Sequence, residues 1–98
     1  MYIPNWTFRP AAGKQAEVIE NSKKVAGLWE KHGANECHLF NIQGADVGCM
    51  SFIAMFENAE AFGKANDGVV ADPDFQELLA KVSSTGDFVR HNLVRRVF

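Results

Sequence analysis

Cys49-Met50-Ser51-Phe52-Ile53-Ala54-Met55-Phe56-Glu57 is the most apolar stretch of the chain, and its reading constrains everything around it. It is far short of the roughly 20 residues that cross a bilayer, and it has strand length. At a period of two, Met50, Phe52 and Phe56 fall on one face and Ile53 and Met55 on the other. A strand apolar on both faces needs cover on both. Helices can cover one. The other implies a second sheet, and therefore a partner.

Working back, Glu36 to Ile42 reads as another strand, joined to the first through the glycine-bearing connection Gln43 to Gly48, which makes a hairpin. Ahead of it, Lys14 to His32 has helical spacing: Val18, Ser22, Val25 and Trp29 form a stripe that Ile19, Ala26 and Leu28 widen. Glu20 and Lys24 make a favourable i,i+4 pair, and Gly33 suits the residue beyond the helix. Gly27 costs about 1 kcal/mol inside a helix and would permit a close approach to the sheet. The opening Tyr2 to Arg9 is rich in aromatic and β-branched residues and forms a strand, with Pro4 suggesting an edge or a bulge. Tyr2, Trp6 and Phe8 share one face; Ile3, Asn5, Thr7 and Arg9 share the other.

Working forward, Asn58 caps a helix through Ala61, Phe62 and Ala65, which Asn66-Asp67-Gly68 interrupts. Asp72-Pro73-Asp74 restarts it with a capping acid, a proline in the first position and an acid in the first turn. Phe75, Leu78, Leu79 and Val82 supply the apolar stripe. Phe88 to Phe98 is the last strand, with Phe88, Arg90, Asn92 and Val94 alternating against Val89, His91, Leu93 and Arg95. The order is strand, helix, strand, strand, broken helix, strand. Right-handed crossovers turn it into an α+β fold of the ferredoxin-like βαββαβ type: a four-stranded antiparallel sheet with two helices on one face. The 98 residues make a single domain, and burying the open sheet face against a second copy would widen a thin stability margin.

Composition excludes several functions. Ten Lys and Arg against twelve Asp and Glu give no basic surface for nucleic acid. The N-terminus has neither basic flank nor apolar signal core, so a cytoplasmic, membrane-free protein is expected. Cys37 and Cys49 fit no metal or redox spacing and read as two reduced thiols, a cross-strand disulfide being the alternative. There is no glycine-rich phosphate loop and no nucleophile elbow. Eight Phe and two Trp exceed what one thin core needs, so part of that area is expected at a pocket or an interface.

Three stretches carry a resemblance. Arg9-Pro10 through Gly13-Lys14, Phe56-Glu57-Asn58-Ala59-Glu60-Ala61-Phe62, and Asp72-Pro73-Asp74-Phe75 resemble segments of the dimeric α+β barrel superfamily, within it the antibiotic-biosynthesis-monooxygenase-like proteins. The resemblance spans nearly the whole chain and contains no catalytic signature. It implies a homodimer with two sheets facing each other and a ligand held between helices and sheet in each subunit. It also implies activities ranging from cofactor-free oxygenation of polycyclic phenols to haem degradation, isomerisation and unknown roles. Haem-degrading members use an Asn in the first strand, which Asn5 could match. They also use a Trp and a His in the second helix, which this chain lacks, so no cofactor is expected.

Two readings then compete. In the first, the protein is a cofactor-independent monooxygenase acting on a small, largely apolar aromatic molecule. His38 or His91 is the base that makes the oxygen-reactive anion. Asn5, Arg9 and Arg90 position the substrate through charge-assisted hydrogen bonds, and Trp29 forms an aromatic wall. In the second, the dimer is non-catalytic, the histidines are structural and the arginines pair with acids of the partner. A ligand-sized pocket faced by a histidine favours the first; a filled core favours a purely structural dimer.

Overall fold

A computed structural model describes all 98 residues. Strand β1 runs Tyr2–Pro10, helix α1 Gln15–Lys31, strands β2 and β3 Glu36–Asn41 and Met50–Met55, helices α2 and α3 Ala59–Ala71 and Pro73–Ser83, and strand β4 Gly86–Arg95. The strands form one antiparallel sheet in the order β2-β3-β1-β4, the split βαβ arrangement expected from the element order.

The helix starts follow local rules. The Asn58 side chain accepts a hydrogen bond from the Ala61 N–H at 2.8 Å, and the Asp72 side chain accepts one from the Asp74 N–H at 3.0 Å. Each satisfies a donor that the first turn leaves orphaned. Pro73 then sits where its missing N–H costs nothing.

All three helices lie on the sheet face that carries Trp6, Phe8, Leu39, Met50, Phe52 and Phe56. Phe56, Ala54, Ala65 and Val69 are fully buried there, and Trp29 is 4% exposed. Burying a side chain such as Phe56 or Val69 contributes about 1.5–3 kcal/mol. The other face holds Ile3, Asn5, Thr7, Ser51, Ile53, Met55, His38 and Phe40. No helix covers it.

The structure departs from the expected pattern at four places. Asn66-Asp67-Gly68 does not break the second helix, which continues to Ala71 and turns at Asp72. Gly68 serves packing instead: a Cβ there would lie 2.5 Å from the His32 Nδ1, so the glycine makes room for the side chain that follows α1. Gly27 makes no close approach; the space around it is open. Glu20 pairs with Lys23 rather than Lys24. Lastly, β4 does not alternate evenly. Phe8 faces Phe88 while Thr7 faces Arg90, so Val89 is an extra residue in a β-bulge. Phe88 and His91, three residues apart, therefore share the helix-covered face. Cys37 and Cys49 are both free.

Candidate functional site

Between the sheet and the three helices lies a cavity of about 170 Å³. The sheet supplies its floor through Trp6, Phe8, Leu39, Met50, Phe52 and Phe88. Helix α1 adds Val18, Asn21, Ser22, Val25 and Trp29, and α2 and α3 close the far side with Asn66, Val69, Phe75, Leu79 and Val82. Fourteen of its 18 lining residues are hydrophobic. The remainder are Asn21, Ser22, Asn66 and Thr85, all uncharged. The mouth lies where the lining meets solvent, at Val70 and Phe88, which are 53% and 54% exposed.

The walls are aromatic. The Trp6 and Trp29 ring centroids stand 5.3 Å apart, and Trp29 continues into Phe56 and Phe62 at 5.9 and 6.0 Å. Such rings offer flat apolar area at low entropic cost. The volume is close to that of an engineered apolar cavity of about 150 Å³ that takes up benzene. This one therefore accommodates a molecule of one ring, or two small ones. An ionised ligand would lose its hydration there without gaining a counter-ion.

The six residues singled out in the sequence fall into two sets. Trp29 lines the cavity. His91 lies on the same side of the sheet, does not line the cavity, and stacks on Trp6 with centroids 4.7 Å apart and planes 11° apart. Its Nδ1 is 3.0 Å from the backbone carbonyl of Asn5. A carbonyl only accepts, so Nδ1 carries the proton in the neutral ring and Nε2 is left as the free base.

Asn5, Arg9, Arg90 and His38 lie on the opposite face. Asn5 donates to the Ser51 hydroxyl at 2.7 Å, and Arg9 is exposed at the end of β1. Arg90 forms a two-pronged ion pair with Asp46, which ties the β2–β3 loop across the sheet end. The His38 ring contacts the Glu36 carboxylate at 3.1 Å. No cluster of three His, Cys, Asp or Glu side chains is placed to hold a metal ion.

Sequence reasoning passed over Asn21 and Asn66. Both sit at core spacing, Asn21 midway along the stripe from Val18 to Val25 and Asn66 four residues after Phe62. A polar residue at such a place is the signal that would have marked them.

A third histidine occupies a different site. His32 Nε2 lies 2.9 Å from Asp72 Oδ2, which Lys31 also reaches at 3.2 Å. The Asp72 carboxyl is lowered from 3.8 to about 2, first by the His32 hydrogen bond and then by those from Asp74 and Lys31. This cluster pins the end of α1 to the α2–α3 corner.

No protein-family model matches the sequence. No curated protein matches it either. Solved structures do. An uncharacterised NIPSNAP domain protein from Burkholderia xenovorans superposes with a TM-score of 0.80 at 14% identity, over 99% of this chain and 95% of that one. SnoaB, a cofactor-independent oxygenase from Streptomyces nogalater, gives 0.70 at 18% identity, over 97% and 92%. A protein from Chloroflexus aurantiacus assigned to the antibiotic biosynthesis monooxygenases gives 0.69 at 15%, over 99% and 93%. Chains so divergent share a fold with this one rather than a demonstrated activity. This chain has a ferredoxin-like α+β fold, the fold common to these NIPSNAP-domain, SnoaB and antibiotic-biosynthesis-monooxygenase structures.

Proposed function

We propose that this chain is a homodimeric ligand-binding protein that holds a small, largely apolar aromatic molecule between its helices and its sheet. The observation that carries this reading is the cavity itself. It is walled by Trp6, Trp29, Phe52 and Phe75 and remains open in a core that elsewhere closes around Ala54, Phe56 and Ala65. Interiors pack to crystal density, so an apolar space large enough for a ring is a departure from ordinary packing. No acid, base or charged group lines it, which suits binding better than proton transfer.

The second copy covers the helix-free sheet face. Its support is the composition of that face, where Ile3, Ile53, Met55 and Phe40 surround a polar centre of Asn5, Thr7 and Ser51. The C-terminal strand adds exposed Val94. Apolar surface of this kind around a polar centre marks an interaction site.

A second reading makes the protein a cofactor-independent monooxygenase. It is favoured by the fold shared with SnoaB and by the oriented His91, whose Nε2 is free to accept a proton. There the base removes a phenolic proton, and the electron-rich anion reacts with dioxygen. Trp6 has to swing aside for His91 to reach a ring bound against Trp29. His38, Asn5, Arg9 and Arg90 would act only on a ligand at the dimer seam.

Native mass spectrometry of freshly purified protein tests the first reading. A dimer retaining small-molecule mass, or taking up an added aromatic, is the expected result. A clean monomer that binds none would overturn it. Oxygen uptake on an identified phenolic ligand tests the second, and turnover unchanged by replacing both His38 and His91 with Ala would remove their assignment.

A further inference from the structure

We infer that the ligand is an uncharged molecule of one aromatic ring, at most two fused rings, whose hydroxyl or carbonyl group is held by the side-chain amides of Asn21 and Asn66. The inference rests on the reading of the cavity as a binding site, and it narrows that reading to a chemical class.

Three observations meet here. The first is size. A space of about 170 Å³ takes one ring comfortably and has no room for three or four fused rings unless helices move apart. The second is charge. Every charged side chain of the protein is absent from the lining, so neither a carboxylate nor a phenolate finds a counter-ion. A neutral ring loses only its apolar hydration on entering, which favours binding.

The third is an unused pair of amides. Of the three half-buried asparagines, Asn5 is bound to Ser51. Asn21 and Asn66 have no hydrogen-bond partner within the protein. They come from two different helices, α1 and α2, and both border the cavity. Thr85 differs, because its hydroxyl already donates to the Val82 carbonyl at 2.7 Å. Each amide brings donors and an acceptor, a combination that matches a hydroxyl or carbonyl group on a neutral ring. No side-chain nitrogen or oxygen cut off from solvent lacks a partner, so both amides are reached by water where they border the cavity. A ligand's hydroxyl or carbonyl group would take the place of that water.

Tryptophan fluorescence of Trp6 and Trp29, with calorimetry, reads binding of four probes: toluene, p-cresol, p-toluate and a three-ring hydroxyanthracene. The proteins are wild type, Asn21→Leu and Asn66→Leu. The expected order is p-cresol tightest, toluene weaker by about tenfold, and p-toluate and the three-ring probe weaker still. The leucine variants should lose the advantage of p-cresol over toluene while binding toluene at least as well. Leucine at an apolar-stripe position does not threaten the helix, and circular dichroism confirms folding. If toluene binds but p-cresol has no advantage, the amide assignment is overturned and the cavity reading survives. The same holds for the charge and size limits if p-toluate matches p-cresol or the three-ring probe binds best. If no probe binds, toluene included, both readings fall.

Discussion

Gly27, Gly63 and Gly68 all lie inside helices, and the same substitution, Gly→Ala, should shift stability in opposite directions among them. An alanine at an exposed helical position gains about 0.5–1 kcal/mol over glycine through lower unfolded-state entropy. Around Gly27 and Gly63 an added Cβ meets nothing within 4 Å, so that gain should appear in full. At Gly68 the new methyl would lie 2.5 Å from His32 Nδ1 and 3.2 Å from two of its ring carbons. Either the ring leaves Asp72 or the helix shifts, and forcing a methyl into a filled site costs about 1–3 kcal/mol. The net is a loss of about 1 kcal/mol, which for a domain of this size lowers Tm by about 4–8 °C. Thermal unfolding followed by circular dichroism measures all three. In a His32→Ala background the penalty at Gly68 should vanish and the helical gain return, because the obstructing ring is gone. If Gly68→Ala raises Tm as the other two do, the approach of His32 does not constrain position 68.

Asp72 gives a pH signature. Its carboxyl is lowered from 3.8 to about 2 in the folded chain, so its stabilising effect is complete above about pH 4 and lost as pH falls towards 2. The Tm gap between wild type and Asp72→Asn should narrow over that window, and a gap independent of pH refutes the assignment. Burial, and secondarily Glu30, pushes the Cys37 thiol up to about 12. It should therefore resist iodoacetamide at pH 8 until denaturant is added, whereas labelling at the unfolded rate would contradict its placement under Ala26. Ile53→Lys puts a charge among the apolar residues of the helix-free face. If the chain pairs through that face as proposed, wild type should be a dimer and the variant a monomer in light scattering, and a dimeric variant would refute pairing through that face.

How far these features could be read from sequence depended on the range of the forces that set them. Asn58 and Asp72-Pro73 satisfy orphan donors within one turn, so the helix starts were legible from neighbouring residues alone. The sheet order followed from handedness and the doubly apolar strand around Phe52. The packing role of Gly68 inside α2 was not legible, because the side chain it makes room for, His32, lies 36 residues earlier in the chain. The bulge at Val89 was hidden for a similar reason: its strand alternates acceptably by itself and slips only against β1. Trp29 was picked out as an aromatic wall, and it lines the cavity. Alternation put Asn5 and Arg9 on the β1 face opposite Trp6 and Phe8, yet a period of two does not say which of the two faces the helices cover. The cavity is a volume left over by packing, and no local pattern reports a volume.

The bulge also divides β4 into two segments with separate phases, so the strand should respond unevenly to changes in length. Removing Val89 would join Phe88 directly to Arg90. Phe8 would still face Phe88 and Thr7 would still face Arg90, in an uninterrupted ladder. Every side chain of the strand would keep its side of the sheet. Removing His91 or Asn92 instead would turn the following residues over, exchanging what faces the helices for what faces the open side. Among the residues of β4, Val89 is thus the one at which the chain can shorten without inverting a surface. A lineage could gain or lose a residue there while both the cavity and the opposite face kept their composition.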